Sequence, residues 1–223
     1  MSTILITGAN RGIGLALAKR YTSRGDDVIG VCREDSDELA ATGARVEAGV
    51  DVTDGPAFAE LAKRLGDARI DVLVCNAGIL SKESFGDIDE DGFERMRKQF
   101  EVNSLGPLRT VQALSTHMAK SAKVGIVTSR MGSVSDNDSG GYYGYRASKA
   151  AVNAIGKSLA LDLKDRGIAV MLLHPGYVQT EMVGGGGDIS PDAAAAQLVK
   201  RLDELTLAQT GSFRHAKGDQ LPW

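Results

Sequence analysis

Apolar residues come in two rhythms that take turns along the chain. Short, near-continuous runs occupy residues 4–6, 28–32, 70–75, 123–128 and 168–173, and each reads as a strand. A weaker run covers 44–50, and a short one near Phe213 is a candidate seventh. Between them the apolar positions recur at helical spacing. One helix is predicted over 12–24, with Gly25 placed to end it, and another from Gly55-Pro56 through Leu65, since proline suits a first turn. A long helix is predicted from Phe93 to about residue 118 with a kink near Gly106-Pro107. A further helix covers 150–163, with Gly167 at its C-cap. Ser190-Pro191 reads as N-cap and first turn of a last helix through Leu205.

Strands that alternate with helices predict an α/β fold, a mainly parallel sheet with helices on both faces. Runs without polar alternation fit strands covered on both sides. No linker, repeat or low-complexity tract divides the chain, so residues 1–223 read as one domain. In such folds ligands bind beyond the carboxyl ends of the strands. The polar and glycine-rich departures fall there: Thr7 to Gly14, Arg33, Asp51, Asn76-Ala77-Gly78, Ser129, and Pro175 through Thr180.

Thr7-Gly8-Ala9-Asn10-Arg11-Gly12-Ile13-Gly14 follows a strand and opens a helix. Glycines there allow a tight turn and close backbone approach, and a helix N-terminus presents N–H groups to a pyrophosphate. The spacing is G-x-x-x-G-x-G, not the general dinucleotide fingerprint, so by itself the turn is equally a plain βα connection. After the second strand, dinucleotide folds place an acid for a free ribose 2′-hydroxyl or an arginine for a 2′-phosphate. Here Arg33 comes first, then Glu34 and Asp35, and Arg11 lies in the turn itself. Two guanidiniums suit a phosphate monoester, which predicts NADP(H). NAD(H) is the alternative, with Arg33 solvated and Glu34 or Asp35 on the ribose.

Tyr145 and Lys149 lie four residues apart ahead of the 150–163 helix. At that spacing a phenol and an ammonium share one helix face. A free tyrosine is a poor acid at neutral pH, and a nearby cation favours its phenolate. The pair is therefore a candidate proton donor to an alkoxide forming on a carbonyl. Alone it is also an ordinary half-exposed helix face.

Hydrophobic residues make up 43% and charged ones 25%, with a net charge of -3. That balance suits a globular domain and excludes the basic footprint of a nucleic-acid binder. No apolar run is long enough to span a bilayer, and the N-terminus lacks the pattern of a signal peptide. A cytoplasmic protein is expected, with Cys32 and Cys75 as free buried thiols and no metal site.

Taken together, Thr7-Gly8-x-x-x-Gly12-x-Gly14, Asn76-Ala77-Gly78, Asn103, Ser129, Tyr145-x-x-x-Lys149, and Pro175-Gly176 with Thr180 resemble the short-chain dehydrogenase/reductase family over nearly the whole chain. The runs TSRMGSV, YRASKAAVN, LHPGYVQTEM and LPW are similar to its carbonyl-reductase branch of C-factor and sniffer-type proteins. The resemblance implies a doubly wound Rossmann fold of about seven strands binding NAD(P)(H). It implies Tyr145 as general acid or base, with Lys149 lowering its pKa and binding the nicotinamide ribose. Ser129 would hold the substrate carbonyl, and Asn103 a water in a proton relay to Lys149. Gly8, Asn10, Arg11, Gly12, Ile13 and Gly14 would cradle the phosphates, Asp51 and Val52 the adenine, and Asn76, Ala77 and Gly78 the middle of the cofactor. Pro175, Gly176, Val178 and Thr180 would meet the carboxamide.

Cys75 stands where the family often has asparagine and Thr128 where it often has serine. Ser133 competes with Ser129 as the hydroxyl, and Tyr142 and Tyr143 with Tyr145. The expected reaction interconverts a small carbonyl compound and its alcohol. The alternatives are an NADP(H)-binding regulatory or signalling protein, or a nucleotide-sugar epimerase or dehydratase, which would carry a longer C-terminal region. A short mobile substrate loop is expected around 182–190, where four glycines run from 184 to 187. The helix after Lys149 is apolar on most sides, which predicts burial on both faces and a homodimer or homotetramer, with the helix from Asn103 onward beside it.

Overall fold

The computed structural model describes residues 1–223, and its centre is a seven-stranded sheet in which every neighbouring pair of strands is parallel. The strands are β1 (Thr3–Thr7), β2 (Asp27–Val31), β3 (Arg45–Glu47), β4 (Ile70–Cys75), β5 (Met118–Val127), β6 (Ala169–His174) and β7 (Ser212–His215), in the order β3-β2-β1-β4-β5-β6-β7. Numbering runs outward in both directions from the β1–β4 pair. The chain therefore reverses its winding there, and a crevice opens beyond the carboxyl ends of those two strands.

The helices are α1 (Gly12–Ser23), α2 (Asp37–Ala40), α3 (Gly55–Leu65), α4 (Glu90–Phe100), α5 (Gly106–Leu114), α6 (Tyr143–Asp162) and α7 (Pro191–Glu204). Side chains alternate across each strand, so one sheet builds two cores. Ile4 and Ile6 of β1 join Leu17 and Tyr21 of α1 and Leu198 and Leu202 of α7 on one face. Leu5 joins Phe58 and Leu61 of α3, Val111 and Leu114 of α5, and Val152 of α6 on the other. The predicted doubly wound fold is the observed one.

Element boundaries differ in instructive places. The single helix expected from Phe93 to about residue 118 is three pieces. Between α4 and α5 lies a π-helical turn, Glu101–Leu105, and Met118 already belongs to β5. The kink expected at Gly106-Pro107 is this widened turn, placed just ahead of them. Pro107 sits in the first turn of α5, where its missing N–H costs nothing. A Cβ on Gly106 would come 2.9 Å from Val52, so close packing demands glycine there. No glycine or proline marks the end of α5. β5 then bulges, with Ser121 at a φ of 67°, before its register with β4 resumes at Lys123. β3 is shorter than the 44–50 expected. The four-residue α2, capped by the Ser36 hydroxyl, is too short to show a period and was missed. α6 begins at Tyr143, so Tyr145 and Lys149 both belong to it. Ser190 caps α7 as expected, its Oγ accepting from Ala193 N at 3.2 Å. Both cysteines are buried and free, and no helix is long and apolar enough to cross a membrane.

Candidate active site

The residues singled out follow the carboxyl ends of β1 to β6, the edge of the sheet at which the crevice opens. Gly8 leaves β1 with a φ of 65°, and Gly12 opens α1 at 55°. A Cβ on Gly14 would lie 2.0 Å from the Gly8 carbonyl oxygen, so only glycine lets helix and turn close this tightly. Arg11 is the N-cap of α1 but offers no side-chain cap, and no acid stands in the first turn. Those N–H groups and the positive end of the helix dipole are thus left for an anion, the chemistry of a pyrophosphate cradle.

Asn76-Ala77-Gly78 braces that turn. Asn76 Nδ2 donates to the carbonyls of Thr7 (3.0 Å) and Gly8 (3.1 Å), and the Thr7 hydroxyl accepts from the N–H groups of Asn76 and Ala77. Asn10 is tied to the second βα turn, its Nδ2 donating to Glu34 O at 3.0 Å. Asp51 accepts from both the N–H and the hydroxyl of Thr53 at 2.8 Å. Burial would raise its carboxyl, but Thr53, Arg33 and Lys98 outweigh that and hold it below the usual range. Val52 is buried under α5, its carbonyl accepting from Arg109.

Arg11 and Arg33 do not share a partner. Arg11 reaches across the crevice to Glu181 at 2.8 Å, whereas Arg33 leans toward Asp51 at 3.8 Å. Both guanidiniums are more than half exposed, which leaves them free to exchange these partners for phosphate.

Tyr145 and Lys149 sit one helical turn apart on α6, with Lys149 Nζ 5.7 Å from the centre of the phenol ring. Lys149 is buried, and its ammonium donates to Val127 O at 3.0 Å. An ammonium has three donors, and this bond uses one. Burial lowers the Lys149 pKa to about 8. Tyr145 moves the other way. Burial pushes its phenol up to about 12, and the Ser129 hydroxyl nearby draws it down only in part. The expected acidification by Lys149 is absent from the site as it stands, because burial of the phenol outweighs an ammonium that has itself lost solvation.

Ser129 lies two residues beyond the end of β5 and accepts from Met131 N at 3.1 Å. A Cβ on Gly132 would strike the Lys149 backbone at 2.6 Å, so the turn carrying Ser129 rests directly on α6. Ser133 is buried, donates to Trp223 O at 3.0 Å and accepts from Asp136 N, which removes it as a competitor. Tyr142 is the α6 N-cap and Tyr143 is exposed, so neither takes the place of Tyr145.

Asn103 lies in the π-helical turn. Its Nδ2 donates to Ile79 O (2.9 Å) and Ser148 Oγ (3.0 Å), and its Oδ1 accepts from Ile79 N (2.8 Å). Of the amide's four positions only one lone pair on Oδ1 is unused. That oxygen and Lys149 Nζ approach the same point, 3.2 and 3.7 Å from where a Gly78 Cβ would be. Pro175 and Gly176 leave β6, and Val178 is buried in a short parallel bridge to Ile189. Thr180 approaches the Gly-rich turn, its methyl 3.4 Å from a Cβ built on Gly12. The glycines at 184–187 belong to a folded loop with a 3₁₀ turn, Glu181–Val183, and Gln179 N donating to Ile189 O.

Sequence reading missed Glu83, Gln99 and Ser148, buried polar groups that tie α6 to its surroundings. None has a motif or a period to mark it. His174 was also missed. It packs edge-on against His215 at 5.0 Å, and burial lowers its pKa to about 4.

The profile of the short chain dehydrogenase family matches residues 2–188. A relative, the 1-hydroxy-2-glutathionyl-2-methyl-3-butene dehydrogenase of Rhodococcus sp. (strain AD45), is 43% identical with 100% of each chain covered. Among solved structures, the carbonyl reductase Sniffer of D. melanogaster matches with a TM-score of 0.90, 27% identity and full coverage of both chains. A short-chain dehydrogenase/reductase of Burkholderia multivorans with bound NADP matches at 0.88 and 32% identity, covering 100% of this chain and 99% of the other. The ordered motifs, the sheet that carries them and these likenesses agree: the chain belongs to the short-chain dehydrogenase family of oxidoreductases.

Proposed function

We propose that the chain is an NADP(H)-dependent reductase that interconverts a small carbonyl compound and its alcohol. The observation that carries this reading is the meeting of Ser129, Tyr145 and Lys149 beside Gly78 and Asn103, at the carboxyl ends of β4 and β5. When bound, the nicotinamide cofactor supplies or accepts the hydride.

The protein's own groups do the rest. Gly8, Gly12, Ile13 and Gly14 hold the pyrophosphate on the α1 N-terminus, with Asn10 fixing the turn. Arg11 and Arg33 take the 2′-phosphate, releasing Glu181 and Asp51, while Asp51 and Val52 line the adenine. Ala77 and Gly78 bound the crevice with Asn76 as their strut, and Pro175, Gly176, Val178 and Thr180 face the carboxamide. Ser129 donates to the substrate carbonyl and stabilises charge developing on its oxygen. Tyr145, which stays protonated at neutral pH, gives that oxygen its proton in reduction and takes one back in oxidation. Lys149, with a pKa of about 8, is poised to return a proton to the phenolate and to hold the nicotinamide ribose with its remaining donors. The free lone pair of Asn103 suits a water leading from Lys149 toward solvent.

The Burkholderia structure holds NADP, and two arginines here suit the same phosphate, which favours NADP(H) over NAD(H). The Rhodococcus relative is named for an alcohol carried on a glutathione conjugate, which puts such conjugates on the substrate panel. Steady-state assays with aldehydes, ketones and glutathione-conjugated alcohols test the reading. We expect turnover, with a Michaelis constant for NADPH at least about tenfold below that for NADH, as two charge-assisted phosphate contacts allow. Preference for NADH would overturn the cofactor assignment, and tight NADPH binding without turnover the enzymatic one.

A further inference from the structure

α6 carries the proposed acid and its lysine, yet it has no cap of its own. Its N-cap, Tyr142, is left-handed (φ 52°, ψ 41°) and makes no side-chain capping bond. The free N–H groups of a helix start need partners, and a buried start needs them from the protein. Here the partner comes from Glu83, 61 residues earlier, whose Oε2 accepts from Gly144 N at 3.1 Å. Its main-chain carbonyl accepts from Tyr142 N at 2.9 Å. Glu83 is only 3% exposed, and its side-chain partners are all neutral donors. Oε1 takes Ser81 Oγ at 2.6 Å and Gln99 Nε2 at 2.9 Å. A buried carboxylate without a cation is costly unless something replaces its hydration. The positive end of a twenty-residue helix, with one of its N–H groups, does so.

The arrangement is locked on both sides. A Cβ on Gly144 would come 2.4 Å from Gln99 Nε2 and 2.8 Å from Met96, so α6 can approach this closely only with glycine next to Tyr145. The segment that carries Glu83 is held at its other end by Asn103, through both polar groups of Ile79. One short span thus connects the π-helical turn, the crevice floor at Gly78 and the first turn of α6.

Resting on the function proposed above, we infer that Glu83 is a positioning residue for Tyr145. It is a remote cap that fixes where α6 begins and so where the phenol points. It touches neither substrate nor cofactor and acts through Gly144.

Two readouts test this on the full chain, in Glu83→Ala and in the near-isosteric Glu83→Gln, whose oxygen can still accept from Gly144. Amide exchange is expected to speed at least about tenfold over residues 142–146 in Glu83→Ala while the rest of α6 keeps its protection. With NADPH and a carbonyl substrate, kcat is expected to fall at least about tenfold while the Kd for NADPH stays within about twofold, since misplacing a reacting group costs rate before binding. Glu83→Gln is expected to recover part of both, because it keeps the bond from Gly144 while its NH2 group loses the one from Gln99. Asp71→Ala, which removes a bond to Thr3 N at the far end of the sheet, serves as a destabilised comparator with normal kcat. Unchanged exchange at 142–146 would overturn the inference. So would a kcat loss matched by Asp71→Ala, or by Glu83→Ala and Glu83→Gln alike. If Glu83→Ala fails to fold, Glu83→Asp, one methylene shorter, takes its place. If the native protein turns over nothing, the proposed function fails by itself and the exchange measurement still decides the cap.

Discussion

Lys149 shows how one side chain can serve a site at the expense of the fold. Its ammonium is buried and held by a single carbonyl, and its pKa falls from 10.5 to about 8. The folded form therefore binds fewer protons than the unfolded chain between those two values, and stability rises with pH across that window. Below about pH 8 the full penalty is present, on the order of 3 kcal/mol for a shift of that size. Lys149→Met should accordingly melt higher than the native protein at pH 7, by about 6–12 °C at about 2–4 °C per kcal/mol for a domain of this length. The gap should close as pH rises toward 10.5. Thermal melts at pH 7 and pH 10 check this, and a variant less stable at pH 7 would mean that the bond to Val127 outweighs burial of the charge. Residues of this kind were legible because type and spacing carry the chemistry. The Tyr145–Lys149 interval places both on one helix face. The direction of the Tyr145 shift was not legible, because it depends on how deeply the phenol is buried, and spacing carries no depth. Glu83 was invisible for a related reason: its partners lie up to 61 residues away and no local pattern announces them.

At the scale of elements, the inner strands were readable because each carries an apolar run covered on both faces, whereas the edge strands β3 and β7 hold one apolar residue each and stood out less. Ends were readable where chemistry marks them: Gly25 at φ 87° after α1, Gly167 at 73° after the turn that follows α6, and Ser190 capping α7. They were not readable where packing decides. Gly106-Pro107 marked a break but not the widened turn at Glu101–Leu105 just ahead of it, and the passage from α5 into β5 carries no breaker at all. The widened turn is also what brings Asn103 to Ile79 and Ser148, so the least legible stretch of helix belongs to the site. The crevice, by contrast, was legible in outline from strand–helix alternation, since the polar clusters all follow strands, while the strand order that places it beyond β1 and β4 came from the structure.

At the scale of the molecule, the apolar excess read along α6 has a more local explanation than its sequence pattern offered. Asn153, a polar residue within that apolar pattern, is buried and accepts from Thr128 at 2.8 Å. The helix from Asn103 onward turns Val111 and Leu114 into the core instead of toward a partner. Exposed apolar side chains lie on α6 itself, at Leu161, and on neighbouring α4, where Phe93 and Phe100, two turns apart, are each 43% exposed. We propose that the expected homo-oligomer forms through the α4–α6 face. Multi-angle light scattering at micromolar concentration should give at least twice the 23.5 kDa of one chain, and Phe93→Asp with Phe100→Asp should return it to a monomer. A native monomer would remove the oligomer.

The central claim is that the phenol of Tyr145 is the proton donor at a carbonyl held by Ser129, and Tyr145→Phe tests it most directly. The variant keeps the ring and loses one oxygen. NADPH should bind with a Kd within about twofold of the native value, while kcat for carbonyl reduction falls by about 10²–10⁴-fold, the range for losing a general acid. Near-native turnover in Tyr145→Phe, with NADPH still bound, would contradict the account.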